Sequence, residues 1–149
     1  MITGVPSGGS AHETRSGRET EELAARLAAG LTGGDVVLIS GELGAGKTTF
    51  VRGACRALGV TVPVTSPTFT IGQRYPAADG RTVGHVDLYR IGSLDSEDPD
   101  LLADYMGPDT ITFVEWPAGA EADIEALGHV ARRVRLAHGG GDLRHVQVR

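Results

Sequence analysis

The sequence predicts an α/β fold in which helices flank a mixed central β-sheet that carries antiparallel hairpins. Two short apolar runs, VVLI at residues 36–39 and ITFV at residues 111–114, have the composition of strands buried on both faces. A glycine-rich loop and a helical pattern follow the first run, which is the order of a parallel α/β unit. With 149 residues, the chain has the length of one domain.

The chain begins with a predicted leader, which an amphipathic helix follows. Residues 1–15 are rich in Gly, Ser, Thr and Pro, so we expect a flexible leader there and a single domain over residues 16–149. Ser16 and Glu19 have the spacing of a capping box and indicate where the first helix begins. Leucines then repeat every four residues along one helical face, at Leu23, Leu27 and Leu31.

A second helix and a hairpin are predicted after the glycine-rich loop. The pattern over residues 48–58 is helical, and Gly59 suits its C-terminal end. The extended segments 68–75 and 81–89 flank an Asp-Gly turn, which predicts an antiparallel hairpin. An acidic loop at residues 95–100 then leads into the last third of the chain.

The last third predicts two short helices, one strand and a closing hairpin. Helices are expected around residues 101–105 and within residues 118–127, on either side of a strand at residues 111–116. In the closing hairpin, over residues 129–149, alternation places two apolar side chains on one face and two arginines on the other. These are Val134 and Leu136, and Arg133 and Arg135.

Charge is separated along the chain. The 14 basic and 19 acidic residues give a net charge of −5, but residues 129–149 carry +4 and the rest carries −9. A net negative chain does not neutralise phosphates along its whole surface, so any contact with RNA is expected to be local or made by a partner, and no contact with DNA is expected. Arg133 and Arg135 give the closing hairpin a basic outer face.

Cysteine usage and hydropathy indicate a soluble, cytoplasmic protein without membrane contact. The single cysteine, Cys55, cannot form an intrachain disulfide framework or a cysteine-cluster zinc site. No stretch approaches the ~18 consecutive apolar residues of a membrane span. The N-terminus has neither the basic head nor the apolar core of a signal peptide.

Residues 41–48, GELGAGKT, match the phosphate-loop motif G-x-x-x-x-G-K-[ST] between the predicted strand and helix. Glycines allow positive φ angles, so that backbone N–H groups surround phosphates, and the helix N-terminus adds positive charge. Lys47 is expected to reach the β- and γ-phosphates, and the Thr48 hydroxyl to bind Mg²⁺. The motif predicts a P-loop NTPase-like sandwich whose nucleotide-binding residues include Gly44, Ala45, Gly46, Lys47, Thr48 and Thr49.

Two acidic residues follow predicted strands, where nucleotide-hydrolysing enzymes place carboxylates that hold the metal and position water. Asp87 follows VGHV and Glu115 follows ITFV, so we take both as candidate catalytic residues, with Glu115 also a candidate metal ligand. The alternative for each is a solvated residue at a strand end. His85 shares a strand face with Asp87, and a hydrogen-bonded structural histidine is its favoured interpretation.

Three further residues are candidates for sensing the γ-phosphate or contacting a partner. Ser66 and Thr68 flank Pro67, which restricts Ser66 to extended conformations and leaves two hydroxyls near the expected phosphate position. An ordinary loop is the equal alternative. Trp116, the single tryptophan, is either a packing residue or a side chain that covers the site or faces a partner.

A phosphate loop indicates a nucleotide and leaves its use open. A small-molecule P-loop kinase also pairs this loop with carboxylates, but it needs an arginine-bearing lid where this chain predicts a hairpin. A regulatory GTPase is disfavoured because the chain has no asparagine for the Asn-Lys-x-Asp motif. A nucleotide-gated binding module that never hydrolyses its ligand is the third alternative.

Four blocks, in this order and spacing, resemble the TsaE (YjeE) family: GELGAGKTT at 41–49, SPTF at 66–69, HVDLYR at 85–90 and VEWP at 114–117. The resemblance covers about residues 16–117. It implies an ATP- and Mg²⁺-binding P-loop ATPase that acts with TsaB and TsaD, with low activity of its own. That system attaches a threonylcarbamoyl group to adenosine in tRNAs that read codons beginning with A.

The resemblance also implies roles for individual residues. Lys47 and Thr48 match the phosphate and magnesium ligands, and Glu115 matches the metal-linked carboxylate. Asp87 matches an acid implicated in hydrolysis, and Thr20 matches a threonine near the nucleotide. Contact with tRNA is expected to be indirect or through the basic C-terminal segment. The chain departs from the family pattern at its acidic loop, where a more regular helix is expected.

Overall fold

A computed structural model describes residues 9–67, 70–89, 100–117 and 119–149. Over these residues, a seven-stranded mixed sheet carries helices on both faces. The strands are β1 (Ser10–Thr14), β2 (Asp35–Gly41), β3 (Gly72–Pro76), β4 (Thr82–Asp87), β5 (Thr110–Glu115), β6 (His129–His138) and β7 (Arg144–Val148). The helices are α1 (Gly17–Ala28), α2 (Lys47–Ala57), α3 (Asp100–Ala103) and α4 (Glu121–Leu127), and a 3₁₀ turn spans Ala78–Gly80.

The sheet is parallel at its centre and antiparallel at its ends. Its strand order is β1-β7-β6-β2-β5-β4-β3. The central strand β2 runs parallel to β5 and β6, and β4 runs parallel to β5. The predicted hairpins are present as the antiparallel pairs β3–β4 and β6–β7. The predicted α/β fold with a mixed sheet is therefore confirmed.

Two apolar clusters lie on opposite faces of the sheet. On the face that α1 and α2 cover, Val37 and Ile39 pack with Phe50 of α2. On the opposite face, Val36 and Leu38 pack in a smaller cluster with residues of α3 and α4. Because β2 is buried on both faces, its carboxyl end, where the phosphate loop begins, is fixed by packing from two sides.

Local capping agrees with the sequence pattern at both long helices. The Ser16 hydroxyl accepts a hydrogen bond from the Glu19 backbone N–H at 3.1 Å and so caps α1. The Glu19 carboxylate accepts from the Arg15 N–H, so the predicted capping box closes one residue earlier than its usual form. After α2, Gly59 takes a φ of +93°, a left-handed conformation that ends the helix.

The prediction of a flexible leader over residues 1–15 is wrong for residues 10–14. These residues form β1, which pairs antiparallel with β7 from Ser10 opposite Val148 to Thr14 opposite Arg144. The segment carries no large apolar side chain, and its order comes from backbone pairing with β7. Residues 1–8 lie outside the described residues, as do residues 95–99 of the acidic loop; its last residue begins α3.

No helix among the described residues has the length and hydropathy to cross a membrane. The helices instead pack on the sheet or on each other, most closely where α1 meets α2. A Cβ atom on Gly53 of α2 would lie only 2.3 Å from the Glu21 carbonyl oxygen of α1. Glycine at this position therefore allows the two helix backbones to approach.

Cys55 gives a direct test of this core. The residue lies on α2 with no solvent exposure, and burial raises the pKa of its thiol to about 12. At pH 8, only about one thiol in ten thousand would then be ionised. We expect iodoacetamide to leave the native chain unmodified and to alkylate Cys55 fully in guanidinium chloride, as measured by mass spectrometry. Stoichiometric labelling of the native chain would contradict the assigned burial.

Candidate nucleotide-binding site

The loop between β2 and α2 presents a set of unbonded backbone amides. Gly44 and Gly46 have φ angles of +76° and +100°, left-handed conformations that favour glycine. Within the described residues, no acceptor bonds the backbone N–H groups of Gly46, Lys47, Thr48 or Thr49. These amides lie at the N-terminus of α2, so they form a cradle for an anion such as a phosphate group.

A cavity of about 620 Å³ lies against this cradle, within the size range of small-molecule sites. It is bounded by the loop, the start of α2, Ser66 with Pro67, and the carboxyl ends of β4 and β5. Most of the predicted residues line it: Gly44, Gly46, Lys47, Thr48, Thr49, Ser66, Asp87, Glu115 and Trp116.

Two predicted residues, Ala45 and Thr20, do not line this cavity, and a third lies outside the described residues. The Ala45 side chain is fully buried and points from the loop into the core, where it packs. Thr20 is buried outside the cavity, and its hydroxyl lies 2.7 Å from the Thr14 hydroxyl, between α1 and β1. A Cβ atom on Gly17, at the start of the same helix, would lie 3.7 Å from Thr49, and the position of Thr20 near the nucleotide stays a prediction. Thr68 lies outside the described residues.

Lys47 is buried against its own loop. Its ammonium donates hydrogen bonds to the carbonyl oxygens of Gly41 and Glu42, each at 2.8 Å. The Trp116 ring lies over it, with its centroid 4.2 Å from Nζ, which is a cation–π contact. Burial lowers the pKa of Lys47, and the nearby carboxylates of Glu115 and Asp87 oppose that shift.

Trp116 combines an unusual backbone with two ring contacts. Its φ angle is +61°, a region that bulky residues rarely adopt. Its ring centroid lies 4.8 Å from that of Tyr89, so the tryptophan is held between Lys47 and Tyr89. The sequence left Trp116 as a packing residue, a cover for the site or a partner contact. In the structure its ring covers Lys47. No spacing in the sequence indicated the role of Tyr89.

The buried Glu115 carboxylate is the centre of a hydrogen-bond network that extends to the surface. The Thr48 hydroxyl lies 3.2 Å from Oε2 of Glu115 and 2.8 Å from the Ser66 hydroxyl. Nε2 of His85 lies 2.5 Å from the same Oε2. An ionised carboxylate only accepts hydrogen bonds, so with Glu115 ionised this contact requires the proton on Nε2 of His85. Nδ1 of His85 is buried with no partner within the described residues.

His85 is therefore a hydrogen-bonded structural histidine, as the sequence favoured, but its partner is a predicted catalytic residue. The side chain has no solvent exposure, and the Glu115 side chain is 3% exposed. The two residues are 30 positions apart, on the consecutive strands β4 and β5, and parallel pairing of these strands brings them together. That partnership depends on sheet register, which the sequence pattern did not give.

Asp87 lies at the end of β4, directly opposite Glu115 in the register of the parallel pair. One of its carboxylate oxygens accepts a hydrogen bond from the Tyr89 N–H at 3.0 Å. Burial raises the pKa of Asp87, and the Glu115 carboxylate adds to that rise, while Lys47 and His85 oppose it. A carboxylate with a raised pKa, facing a cavity, is suited to accept a proton.

The donor set at the cavity is made of oxygen atoms, which Mg²⁺ prefers. Thr48 and Glu115 supply a hydroxyl and a carboxylate that lie within 3.2 Å of each other. In the described part of the chain, no group of three or more His, Cys, Asp or Glu could hold a metal by itself. Protein Mg²⁺ sites commonly use one or two carboxylates together with substrate phosphates, and these residues fit that arrangement.

The fold and the site are those of a P-loop nucleotide-binding protein: a parallel strand, a left-handed glycine loop and a helix whose first amides are unbonded. Comparison with known proteins assigns the family. The family model described as "Threonylcarbamoyl adenosine biosynthesis protein TsaE" matches residues 14–144. The chain belongs to the TsaE family, which acts in the biosynthesis of tRNA threonylcarbamoyladenosine.

Individual relatives agree with this assignment. The chain is 46% identical over 133 residues to "tRNA threonylcarbamoyladenosine biosynthesis protein TsaE" of Streptomyces coelicolor, which covers 85% of this chain and 87% of that protein. The TsaE protein of Aquifex aeolicus is 38% identical, with 81% of this chain and 90% of that protein covered. The crystal structure of YdiB from Bacillus subtilis matches with a TM-score of 0.70 and 32% identity, covering 93% and 83% of the two chains. The family predicted from the four sequence blocks is thus confirmed.

The His85–Glu115 hydrogen bond predicts a large effect on stability. His85→Ala removes the buried donor and leaves an empty space beside a carboxylate that is almost fully buried, so we expect the free energy of unfolding to fall by about 2–4 kcal/mol. His85→Gln, which retains an N–H donor, should lose less. Urea denaturation of both variants measures this difference.

An exposed histidine provides the control for this experiment. His129 has a side chain that is 78% exposed and pairs with Asp35 at 3.2 Å. We expect His129→Ala to change the free energy of unfolding by less than about 1 kcal/mol. Equal effects of His85→Ala and His129→Ala would contradict the assigned role of the buried hydrogen bond.

Proposed function

We propose that this chain binds ATP with Mg²⁺ and hydrolyses it, acting with TsaB and TsaD in the threonylcarbamoyl modification of adenosine in tRNAs that read codons beginning with A. One observation carries the proposal. The Lys47 ammonium, the Thr48 hydroxyl and the Glu115 carboxylate meet in one cavity, beside unbonded loop amides. This is the equipment that P-loop enzymes use for phosphoryl transfer.

Binding of the phosphates falls to the loop and its lysine. The amides of Gly46, Lys47, Thr48 and Thr49 supply donors that no other group in the described chain uses. The Lys47 ammonium, which now bonds two loop carbonyls, supplies the positive charge that the β- and γ-phosphates require. Because these backbone dipoles are already oriented, the loop needs little rearrangement. It can bind the phosphates and also stabilise the negative charge that develops on them during the reaction.

Thr48 and Glu115 are the residues that would hold Mg²⁺. When bound, the ion neutralises charge that develops on the transferred phosphoryl group. His85 fixes the orientation of the Glu115 carboxylate through the 2.5 Å hydrogen bond, so the carboxylate faces Thr48 before any ligand arrives. His85 thus acts through Glu115 and is a positioning residue.

Asp87 is the residue we assign to the attacking water. Both acids line the cavity, but the Glu115 carboxylate already contacts Thr48 and His85. In the described part of the chain, the Asp87 carboxylate is hydrogen-bonded to neither of these side chains. The raised pKa of Asp87, caused by burial, favours acceptance of a proton from that water. The two acids at the ends of adjacent strands therefore have different roles: Glu115 would bind the metal, and Asp87 would accept the proton of the attacking water.

The experiment that tests this function is phosphate release from ATP by the purified chain, alone and with purified TsaB and TsaD. We expect low release by the chain alone and a clear increase with the partners. Background release under both conditions, with ATP still bound, would indicate a binding module that does not hydrolyse its ligand. Transfer of phosphate to a small acceptor would indicate a kinase.

Glu115→Ala provides a prediction for the metal-binding residue. Loss of the carboxylate removes metal-linked stabilisation while the loop amides remain, so phosphate release should fall about a hundredfold or more. ATP affinity, measured by calorimetry, should change far less. Glu22→Ala, an exposed acid on α1, serves as the control and should behave like the original chain. Normal turnover by Glu115→Ala would remove this residue from the mechanism.

Lys47→Arg provides a second prediction because it keeps the positive charge and changes its shape. The ammonium fits between two carbonyl oxygens under the Trp116 ring, a buried space that a planar guanidinium does not match. We expect phosphate release to fall about a hundredfold or more. The exposed Arg26 offers the reverse exchange as a control, since Arg26→Lys should leave turnover unchanged. Retained ATPase activity in Lys47→Arg would refute this assignment.

A further inference from the structure

A second cavity, of about 840 Å³, lies on the other side of the phosphate loop. We call it the arginine cleft. The loop residues Gly41 and Glu42 form one part of its wall, and Trp116 and Pro117 form another. None of the residues assigned to phosphate, metal or water in the mechanism above lines it. Its remaining lining residues are Leu38, Ser40, Glu121, Arg133, Val134, Arg135, Gln147 and Arg149.

The register of the sheet explains why arginines form the floor of the cleft. Arg135 on β6 lies between Ser40 on β2 and Gln147 on β7. In the next row, Arg133 lies between Leu38 and Arg149, with which it exchanges two backbone hydrogen bonds. Alternation along β6 turns Val134 and Leu136 toward the core under α1 and α2, so the arginines face the opposite side.

The arginines of the cleft differ in whether they have acidic partners. The Arg133 guanidinium lies 3.2 Å from the Glu121 carboxylate and 3.3 Å from that of Glu125, both on α4. It therefore joins α4 to the sheet. Arg135 and Arg149 are exposed, and in the described part of the chain neither guanidinium has an ion pair or a hydrogen bond. The cleft thus contains two unpaired positive charges in a chain with a net charge of −5.

We propose that the arginine cleft is a docking site for an acidic segment of a partner protein. Carboxylates of such a segment complement Arg135 and Arg149, and arginine is enriched where proteins bind each other. The partly exposed Trp116 adds an apolar side chain to the cleft wall, which suits side chains of a polypeptide.

The same cleft is a poor fit for RNA. Glu42 and Glu121 also line it, and their negative carboxylates repel a phosphate backbone. A protein segment can place individual carboxylates on the arginines and other side chains beside the acids, which a uniformly charged backbone cannot do. Charge and shape therefore favour an acidic polypeptide over a nucleic acid.

The cleft is also placed where a bound segment would adjoin the nucleotide. Trp116 lines both cavities, and its ring covers Lys47. The carbonyl groups of Gly41 and Glu42, which hold Lys47, belong to residues of the cleft wall. A segment bound in the cleft would contact Gly41, Glu42 and Trp116, the three residues that also contact the phosphate-binding lysine.

Fluorescence anisotropy with a labelled twelve-residue peptide of Glu, Asp, Leu and Ala tests the proposal on the full chain. We expect saturable binding that weakens at least tenfold in Arg135→Glu, since that change replaces an attraction by a repulsion. Arg132→Glu is the matched control: it alters an exposed arginine on the same strand that does not line the cleft, and its affinity should stay within twofold of the original. Melting temperatures of both variants show that they fold.

Two further probes complete the experiment. A peptide in which Gln and Asn replace the acids should bind at least tenfold more weakly, and a labelled tRNA should bind equally to the original chain and to Arg135→Glu. Equal peptide affinities of the original chain and Arg135→Glu would overturn the proposal, as would a tRNA affinity that falls with Arg135→Glu. The peptide assay does not depend on ATP hydrolysis. A negative ATPase result would therefore count against the proposed function and leave the peptide-binding result unaffected.

Discussion

The hydrogen-bonded carboxylate of Glu115 joins three parts of the chain that are far apart in sequence. Thr48 reaches it from the start of α2, and His85 reaches it from β4, while Glu115 itself ends β5. A carboxylate on a residue with only 2% of its surface exposed is stable only where polar partners replace water. The phosphate loop, the central sheet and the strand that carries Asp87 must therefore fold together, because each supplies or aligns a partner of this group.

Those elements whose formation depends on local patterns were predictable from the sequence. The strands β2 and β5 are short apolar runs, α2 has helical periodicity, and the β3–β4 pair has an Asp-Gly turn, so each carries its own signal. The strand β1 has no such signal. Its sequence SAHET forms a strand because β7 offers an edge for backbone pairing, and that edge exists only once the sheet has formed.

The site shows the same division between local and long-range information. The loop and the acids at strand ends could be predicted because parallel strands bring their carboxyl ends to one edge of a sheet. Two other features could not be predicted. The partnership of His85 with Glu115 depends on sheet register, and the different surroundings of Arg133 and Arg135 depend on where α4 packs. Thr20 likewise forms a buried contact with Thr14 that no sequence pattern indicated, and its position near the nucleotide, which only the family resemblance implied, stays a prediction.

Trp116 connects the two cavities and helps to explain why their chemistry differs. A tryptophan at a φ of +61° stores backbone strain of about 1–3 kcal/mol, which surrounding contacts must offset. Its backbone N–H donates to the Ile39 carbonyl at 3.0 Å, and its ring packs between Lys47 and Tyr89. On the nucleotide side, the cation beneath the ring already has two carbonyl partners. On the cleft side, the Arg135 guanidinium has no hydrogen bond or ion pair among the residues that the structure describes. One strained residue thus separates a cation that is held ready for phosphate from a cation that is available to another molecule.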